Sequence, residues 1–238
     1  MHKDIISSKG RKSMLEGLKV KLTEIAKRAD ADGLCKHKSG NFSIRDEATG
    51  YILVTPSGVS REELTANHIC VVDMDMNLIE VNKDVRPTSE LLMHIEAYRC
   101  RPNVKAIVHT HSKFATAFSV LNKEIPPIVY EIVNIVGGEG IIRVAPYERP
   151  GTEALAKSIV KPIEIADACL MANHGVLAVS KEDIEDAFLK AAYVEEVAEV
   201  YYRALLINGG KEPNTIPQSE LGKWSYPEQI KLNNKTKK

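Results

Sequence analysis

Leu15, Leu18, Leu22, Ile25, Ala26 and Ala29 recur among lysines and glutamates across residues 12–29, a spacing that predicts an amphipathic helix. A glycine-containing turn, "ADGLCKHKSGNFSIR", then runs into "FSIR". "GYILVTPSG" reads as a strand closed by a Pro-Ser-Gly turn, and "HICVVDMD" and "NLIEV" as two strands around a turn at Met76-Asn77. "RPTSELLMHIEAYRC" sets a proline and hydroxyl residues before an apolar-periodic run, which predicts a helix. Residues 104–109 return to strand, and "SKFATAFSVLN" is a short helix. "APYERPGTEALAKSIVK" is a loop entering another helix. "DACLMANHGVLAVS" is a strand, a kink at Asn173-His174-Gly175 and a second strand. Ser180 with Asp183 resembles a capping box ahead of a long helix that runs to about Leu206. Strands in hairpin-like groups with helices between them predict a mixed or antiparallel sheet flanked by helices.

Composition narrows the class of protein. The 238 residues, 44% hydrophobic, suffice for one large domain over residues 1–210, followed by a polar tail, 211–238, expected to be partly disordered. Lysine plus arginine (32) equals aspartate plus glutamate (32), so no basic surface points to a nucleic-acid partner. Cys35, Cys70, Cys100 and Cys169 form no C-x-x-C pair. The N-terminus lacks the apolar stretch of a signal peptide, and no run approaches the roughly 20 residues that span a bilayer. The expectation is a cytoplasmic protein with no membrane partner.

The stretch "AIVHTHS" places His109 and His111 at the end of an apolar run. Residues i and i+2 of a strand share a side, so a divalent metal between the imidazoles would explain the spacing. An H-x-H pair alone fits two ordinary histidines equally well. A catalytic zinc site needs a third ligand, and His174, before the turn-permitting Gly175, is the best candidate. His94 reads as a surface or packing residue on its helix, and His37 and His68 as structural. Glu90 stands behind Pro87-Thr88-Ser89 at a helix N-terminus. There it complements the helix dipole or, on a sharper reading, serves as a general acid/base near the metal. Three turns, Ser39-Gly40-Asn41, Thr55-Pro56-Ser57-Gly58 and Thr88-Ser89, offer backbone N–H groups and hydroxyls suited to phosphate, and each is equally an ordinary turn.

Taken in order, "GNFSIR", "ILVTPSG", "RPTSE", "AIVHTHS", "APYERPGT" and "ANHGVLAV" resemble the motif series of the class II aldolase/adducin family over roughly residues 12–207. The resemblance implies an α/β fold of the α+β type with a mostly antiparallel nine-stranded sheet between helices. It implies a zinc enzyme, one ion per chain, acting on a phosphorylated ketose, in a homotetramer with active sites at subunit interfaces. It assigns His109, His111 and His174 to the zinc, Glu90 to proton transfer, and Asn41, Ser57, Gly58, Thr88 and Ser89 to the substrate phosphate. Tyr130, in "PPIVYEIV", matches a tyrosine that handles a proton in a neighbouring subunit's site; its plain reading is a half-buried strand tyrosine. Lys38 departs from the small or hydroxyl residue usual before Ser39.

The resemblance implies reversible cleavage of a ketose related to L-fuculose-1-phosphate into dihydroxyacetone phosphate and an aldehyde, through a zinc-stabilised enediolate. In that family the epimerases usually carry aspartate and the aldolases glutamate at the position of Glu90, so Glu90 favours aldol chemistry over 4-epimerisation of L-ribulose-5-phosphate. Dehydratases and decarboxylases of sugar phosphates share the scaffold and stay open. A zinc hydrolase fits less well, and a non-catalytic adducin-like role least, because all three histidines and Glu90 are present.

Overall fold

The computed structural model describes residues 8–221 and 223. His2, residue 222 and the stretch 224–238, including most of the tail expected to be disordered, lie outside these residues.

The amphipathic start is a long helix, α1 (Ser8–Ala31), which lays Leu22, Ile25, Ala26 and Ala29 into the core. Four strands follow: β1 (Asn41–Arg45), β2 (Ile52–Val54), β3 (Cys70–Val72) and β4 (Leu78–Glu80). Helix α2 (Leu91–Cys100) leads into β5 (Ala106–Thr110), α3 (Lys113–Val120) and α4 (Tyr130–Val136). The chain continues through β6 (Val144–Ala145), α5 (Glu153–Ser158), α6 (Val160–Ile165), β7 (Ala168–Met171), β8 (Gly175–Ser180) and α7 (Ile184–Ile207).

The strands form one sheet in the order β4-β3-β2-β1-β5-β8-β7-β6, antiparallel throughout except for the parallel β6–β7 pair. Eight strands are present among the described residues, against the nine that the resemblance implies. Helices cover both faces. Phe42 and Ile44 of β1, Ala106 and Val108 of β5, and Val176 and Ala178 of β8 pack in one core with α1, α3, α4 and α7. The alternate residues Ile107, Leu177 and Val179 face the other way, into a second core with α2, α5 and α6. Burial on both faces explains why the strands read as solid apolar runs rather than alternating ones.

Two local expectations are corrected. "PPIVYEIV" is not a strand: α4 opens at Tyr130 and buries Ile132, Val133 and Val136, a helical spacing, before Gly137 ends it at φ 69°. The long helix is capped by Asp183, whose carboxylate accepts from the Asp186 N–H at 3.0 Å, while the Ser180 hydroxyl donates to the Asp186 side chain. There is no Ser180–Asp183 capping box, because Ser180 is still the last residue of β8. The start of the tail is tied back, with the Ile216 N–H donating to the Pro127 carbonyl at 2.8 Å.

Between β7 and β8 the chain turns at Asn173, held at φ 56°, and re-enters the sheet at Gly175. A Cβ at Gly175 would lie 2.2 Å from the Thr110 carbonyl oxygen and 3.4 Å from His109 Cε1. Only glycine lets β8 press this closely on the end of β5. Gly175→Ala is therefore expected to cost about 1–3 kcal/mol, as overpacking in a filled interior does. Urea unfolding would register this as a lower midpoint at unchanged slope, and an unaltered midpoint would contradict the close contact.

Candidate metal centre and adjoining cleft

The site forms where β1, β5 and the β7–β8 turn end together. Asn41 is paired directly across from His109, and His174 follows Asn173 in the turn that enters β8. The three imidazoles converge, with ring centroids 4.7–5.0 Å apart. His109 is fully buried, and its Nδ1–H donates to the Val176 carbonyl at 2.8 Å. That bond fixes the tautomer and leaves the Nε2 lone pair facing His111 Nε2, 3.0 Å away. Burial holds His111 near 3 and His174 near 4, below the ordinary 6.5, so both rings are neutral at neutral pH.

Glu90 completes the cluster. It occupies the N-cap position of α2, but its side chain makes no capping hydrogen bond and turns inward instead. Its Oε2 lies 3.2 Å from His109 Nε2 and accepts from Asn41 Nδ2 at 2.7 Å; its Oε1 lies 3.3 Å from His174 Nε2. Burial pushes the carboxyl up, but the adjoining His109 imidazole, then the His174 imidazole and the Asn41 amide, outweigh it. The group is held well below the usual carboxylate range. The dipole-capping reading of Glu90 therefore does not describe its side-chain contacts.

One ligand atom from each of Glu90, His109, His111 and His174 falls within a set whose members are all within 4.8 Å of one another. Glu90 Oε1 is buried without a hydrogen-bond partner among the described residues. Neutral imidazole nitrogens turned toward one another, an orphaned carboxylate oxygen beside them and a tautomer locked from behind fit a divalent ion.

A cleft of about 270 Å³ opens beside the cluster, lined among others by Lys38, Asn41, Ser57, Ser89, His111 and His174. Gly58 and Thr88 line it too, so the three polar turns do meet in one place. Their backbone donors are less available than the sequence suggests: the Ser57 N–H is spent on the Arg86 carbonyl and the Thr88 N–H on the Thr55 carbonyl. The Ser39 hydroxyl is likewise spent, on the Lys36 carbonyl at 2.7 Å. The Ser57, Thr88 and Ser89 hydroxyls and the second N–H of Asn41 remain to meet an anion. Lys38 is exposed at the rim. Tyr130 does not line this cleft in its own chain and is 46% exposed.

Two contributors escaped the sequence reading. Arg61, buried, donates to the Ser39 and Gly40 carbonyls at 3.0 and 2.6 Å and so holds the loop that delivers Asn41. His94 is neither a surface residue nor simple packing: it is fully buried and its Nε2 meets Asn41 Oδ1 at 2.6 Å. The available signal was its position four residues after Glu90, one helical turn along the same face.

The profile of the family described as Class II Aldolase and Adducin N-terminal domain matches residues 20–202. The chain belongs to that family. It is 32% identical to 5-deoxy-D-ribulose 1-phosphate aldolase of Bacillus thuringiensis serovar kurstaki, over 87% of this chain and 93% of that protein. It is 35% identical to a 5-methylthioribulose-1-phosphate/5-deoxyribulose-1-phosphate aldolase of Rhodospirillum rubrum, over 84% of this chain and 86% of the relative. A solved structure of L-fuculose 1-phosphate aldolase superposes with a TM-score of 0.79 at 32% identity, covering 86% of this chain and 92% of that one. Family membership, these aldolases and the Glu/His cluster together make the chain a metal-dependent aldehyde-lyase. No described helix is long and apolar enough to cross a membrane.

Burial lowers His94 from 6.5 to about 3. The unfolded chain therefore takes up this proton near pH 6.5 while the folded chain does not until about pH 3. The unfolded state binds more protons throughout that window, so stability rises with pH across it and is lost as pH falls. In metal-stripped protein, the melting temperature should drop progressively below about pH 6.5. His94→Gln should make that dependence shallower, and an identical slope in the variant would rule out His94 as a source.

Proposed function

We propose that this chain is a zinc-dependent aldolase that reversibly cleaves a phosphorylated ketose into dihydroxyacetone phosphate and an aldehyde. The observation that carries the reading is an ionised, buried Glu90 beside three convergent imidazoles at the mouth of a hydroxyl-lined cleft. His109, His111 and His174 are the proposed ligands, one ion per chain, and three neutral nitrogen donors suit zinc. Such an ion would supply Lewis-acid stabilisation of negative charge developing on the ketose oxygens.

The residues divide the remaining work. Asn41, Ser57, Gly58, Thr88 and Ser89 hold the substrate phosphate, with hydroxyl and amide donors in place of the two spent backbone N–H groups. In cleavage the C3–C4 bond breaks, its electron pair stays on C3, and the C4 hydroxyl loses its proton as the aldehyde departs. In the synthetic direction the ionised Glu90 removes the proton from C3 of dihydroxyacetone phosphate; in cleavage it first takes up one proton from solvent, balancing the one lost from the C4 hydroxyl, and delivers it to C3. The C4 hydroxyl proton is assigned to Tyr130 of a neighbouring copy. Its exposure, and its absence from the cleft of its own chain, support that assignment. Exposed Val120, Leu121 and Leu189 are in keeping with a homotetramer whose sites lie at subunit contacts. Four free thiols and the lack of a membrane helix among the described residues are in keeping with the cytoplasm.

The names of the compared aldolases all place the phosphate on C1. This favours a ketose 1-phosphate, L-fuculose-1-phosphate or a 5-deoxypentulose 1-phosphate, over the 5-phosphate that the epimerase alternative requires. Glutamate at position 90 favours aldol cleavage over epimerisation, because one methylene more than aspartate moves the carboxylate by about a bond length and changes which carbon it reaches.

Three measurements test this. The purified protein should hold about one zinc per chain, and His174→Ala should lose it, since two ligands bind far more weakly; full occupancy in the variant would refute the ligand set. Glu90→Gln should keep metal and substrate while losing about 10²–10⁴-fold in turnover, the usual weight of general acid–base catalysis. Survival of solvent exchange at C3 of dihydroxyacetone phosphate in that variant would return Glu90 to a structural role. Finally, a panel of L-fuculose-1-phosphate, 5-deoxyribulose-1-phosphate, L-rhamnulose-1-phosphate and L-ribulose-5-phosphate should yield triose phosphate from at least one 1-phosphate. A C4 epimer without triose phosphate would instead establish the epimerase.

A further inference from the structure

Behind Glu90 runs a buried chain of hydrogen bonds that the proposed reaction does not use directly. Asn41 Nδ2 donates to Glu90 at 2.7 Å; Asn41 Oδ1 lies 2.6 Å from His94 Nε2; His94 Nδ1 lies 2.7 Å from Ser43 Oγ; and Ser43 Oγ lies 2.9 Å from the Tyr98 hydroxyl. His94 and Ser43 are fully buried, Tyr98 is 1% exposed and Asn41 6%.

The chain exists because two periods match. Glu90, His94 and Tyr98 sit four residues apart on one face of α2, a repeat of about 6.0 Å along a helix. Asn41, Ser43 and Arg45 sit two apart on one face of β1, a repeat of about 6.8 Å along an antiparallel strand. Laid side by side, each helix residue meets the next strand residue, and the series ends with the Arg45 guanidinium 5.1 Å over the Tyr98 ring.

The chemistry gives the chain one direction. A carboxylate only accepts, so Asn41 must turn its amide nitrogen to Glu90 and its oxygen to His94. His94 must then carry its proton on Nε2. Burial keeps the ring neutral, so Nδ1 is an acceptor and Ser43 must donate to it. The remaining lone pair of Ser43 takes the Tyr98 proton. Every donor points toward Glu90, an arrangement in which successive bonds polarise and strengthen one another. An amide does not relay protons readily, so the chain orients rather than conducts.

We propose that His94 is a positioning residue for proton transfer at Glu90: its Nε2–H locks the Asn41 amide so that one N–H always faces the carboxylate, and Ser43 and Tyr98 set its tautomer. The inference rests on the reading of Glu90 as the proton-transfer group. Without His94, Asn41 is free to present its oxygen to Glu90, which repels the ionised carboxylate and displaces it.

The test uses full-length, metal-loaded protein and the exchange of dihydroxyacetone phosphate with deuterated water. His94→Phe keeps a ring but no nitrogen, and should lower the saturating exchange rate about 10–100-fold, the usual weight of an outer-shell partner. Metal content should stay within about twofold, because the ligands are other side chains, and half-saturation should rise much less than the rate falls, because Ser57, Gly58, Thr88 and Ser89 still hold the phosphate when Asn41 is loosened. His94→Gln restores an N–H near the Nε2 position and should recover most of the rate. Equal loss of rate and affinity, or no rescue by glutamine, overturns the proposal. Tyr98→Phe, which removes one hydroxyl, should give a smaller loss in rate alone. Independently of any variant's folding, ¹⁵N chemical shifts of the wild-type protein should report His94 as a single Nε2–H tautomer; an Nδ1–H tautomer overturns the direction of the chain. Glu90→Gln measured alongside separates the failures: if exchange survives in that variant the parent reading fails, whereas exchange lost there but unchanged in His94→Phe defeats only the positioning role.

Discussion

Everything at this site depends on bringing three imidazole nitrogens and one carboxylate into a space that burial has largely cleared of water. Such groups repel or orphan one another unless something holds them, and the molecule holds each from behind. The Val176 carbonyl fixes His109, and Asn41 fixes Glu90. Close backbone approach is the second requirement. Gly175 lets β8 press on Thr110, and a Cβ at Gly40, which has φ 73°, would lie 2.7 Å from the His109 carbonyl oxygen and 2.4 Å from Cys35 Sγ. The two glycines stand on opposite sides of the end of β5, so the histidine strand is clamped between neighbours that only residues without side chains allow.

The α2-facing surface of the sheet sets apolar and polar positions side by side, with Ser43 paired to Ile107 and His109 to Leu177. Ile107, Leu177 and Val179 meet Met93, Ile95 and Leu155 in an apolar core. Beside them the same face carries Asn41, Ser43 and His109, and α2 answers with Glu90 and His94. The apolar half stabilises the contact by burial, at about 1.5–3 kcal/mol for each large side chain fully removed from water. The polar half is then positioned by a docking it does not itself drive. Desolvation is outweighed at Glu90 by the adjoining imidazoles and the Asn41 donor, which keep the carboxylate ionised; at His111 and His174 it prevails and keeps the rings neutral.

The opposite face contributes through α7. Glu195 accepts from the backbone N–H groups of Phe114 and Ala115, both at 2.9 Å, at the start of α3. Two orphan donors and the positive end of the helix are satisfied by one carboxylate. Ser112, the N-cap, provides no such bond. Because α3 begins two residues after His111, the contact pins the exit of the ligand-bearing segment to a 24-residue helix on that side of the sheet.

Periodicity alone was enough to place α1, α2, α7 and most strands, because each buries a wide apolar face whose spacing survives in the sequence. The ordered motifs were enough for the family, and the H-x-H spacing for the side on which His109 and His111 lie. Other features depend on residues far apart in the chain. Asn41 and Glu90, 49 positions apart, become partners only when β1 docks on α2. The N–H groups of Ser57 and Thr88, which look free in a polar turn, are consumed by the Arg86 and Thr55 carbonyls. Tyr130 reads as a strand residue until the core selects the helical face of Ile132, Val133 and Val136. His94 is one amphipathic-helix residue among many until its partners arrive from the strand. A sequence encodes which faces are apolar, since that pattern is local; which polar groups share a proton, and which are already satisfied, is settled only when tertiary packing removes the water that would otherwise serve them all.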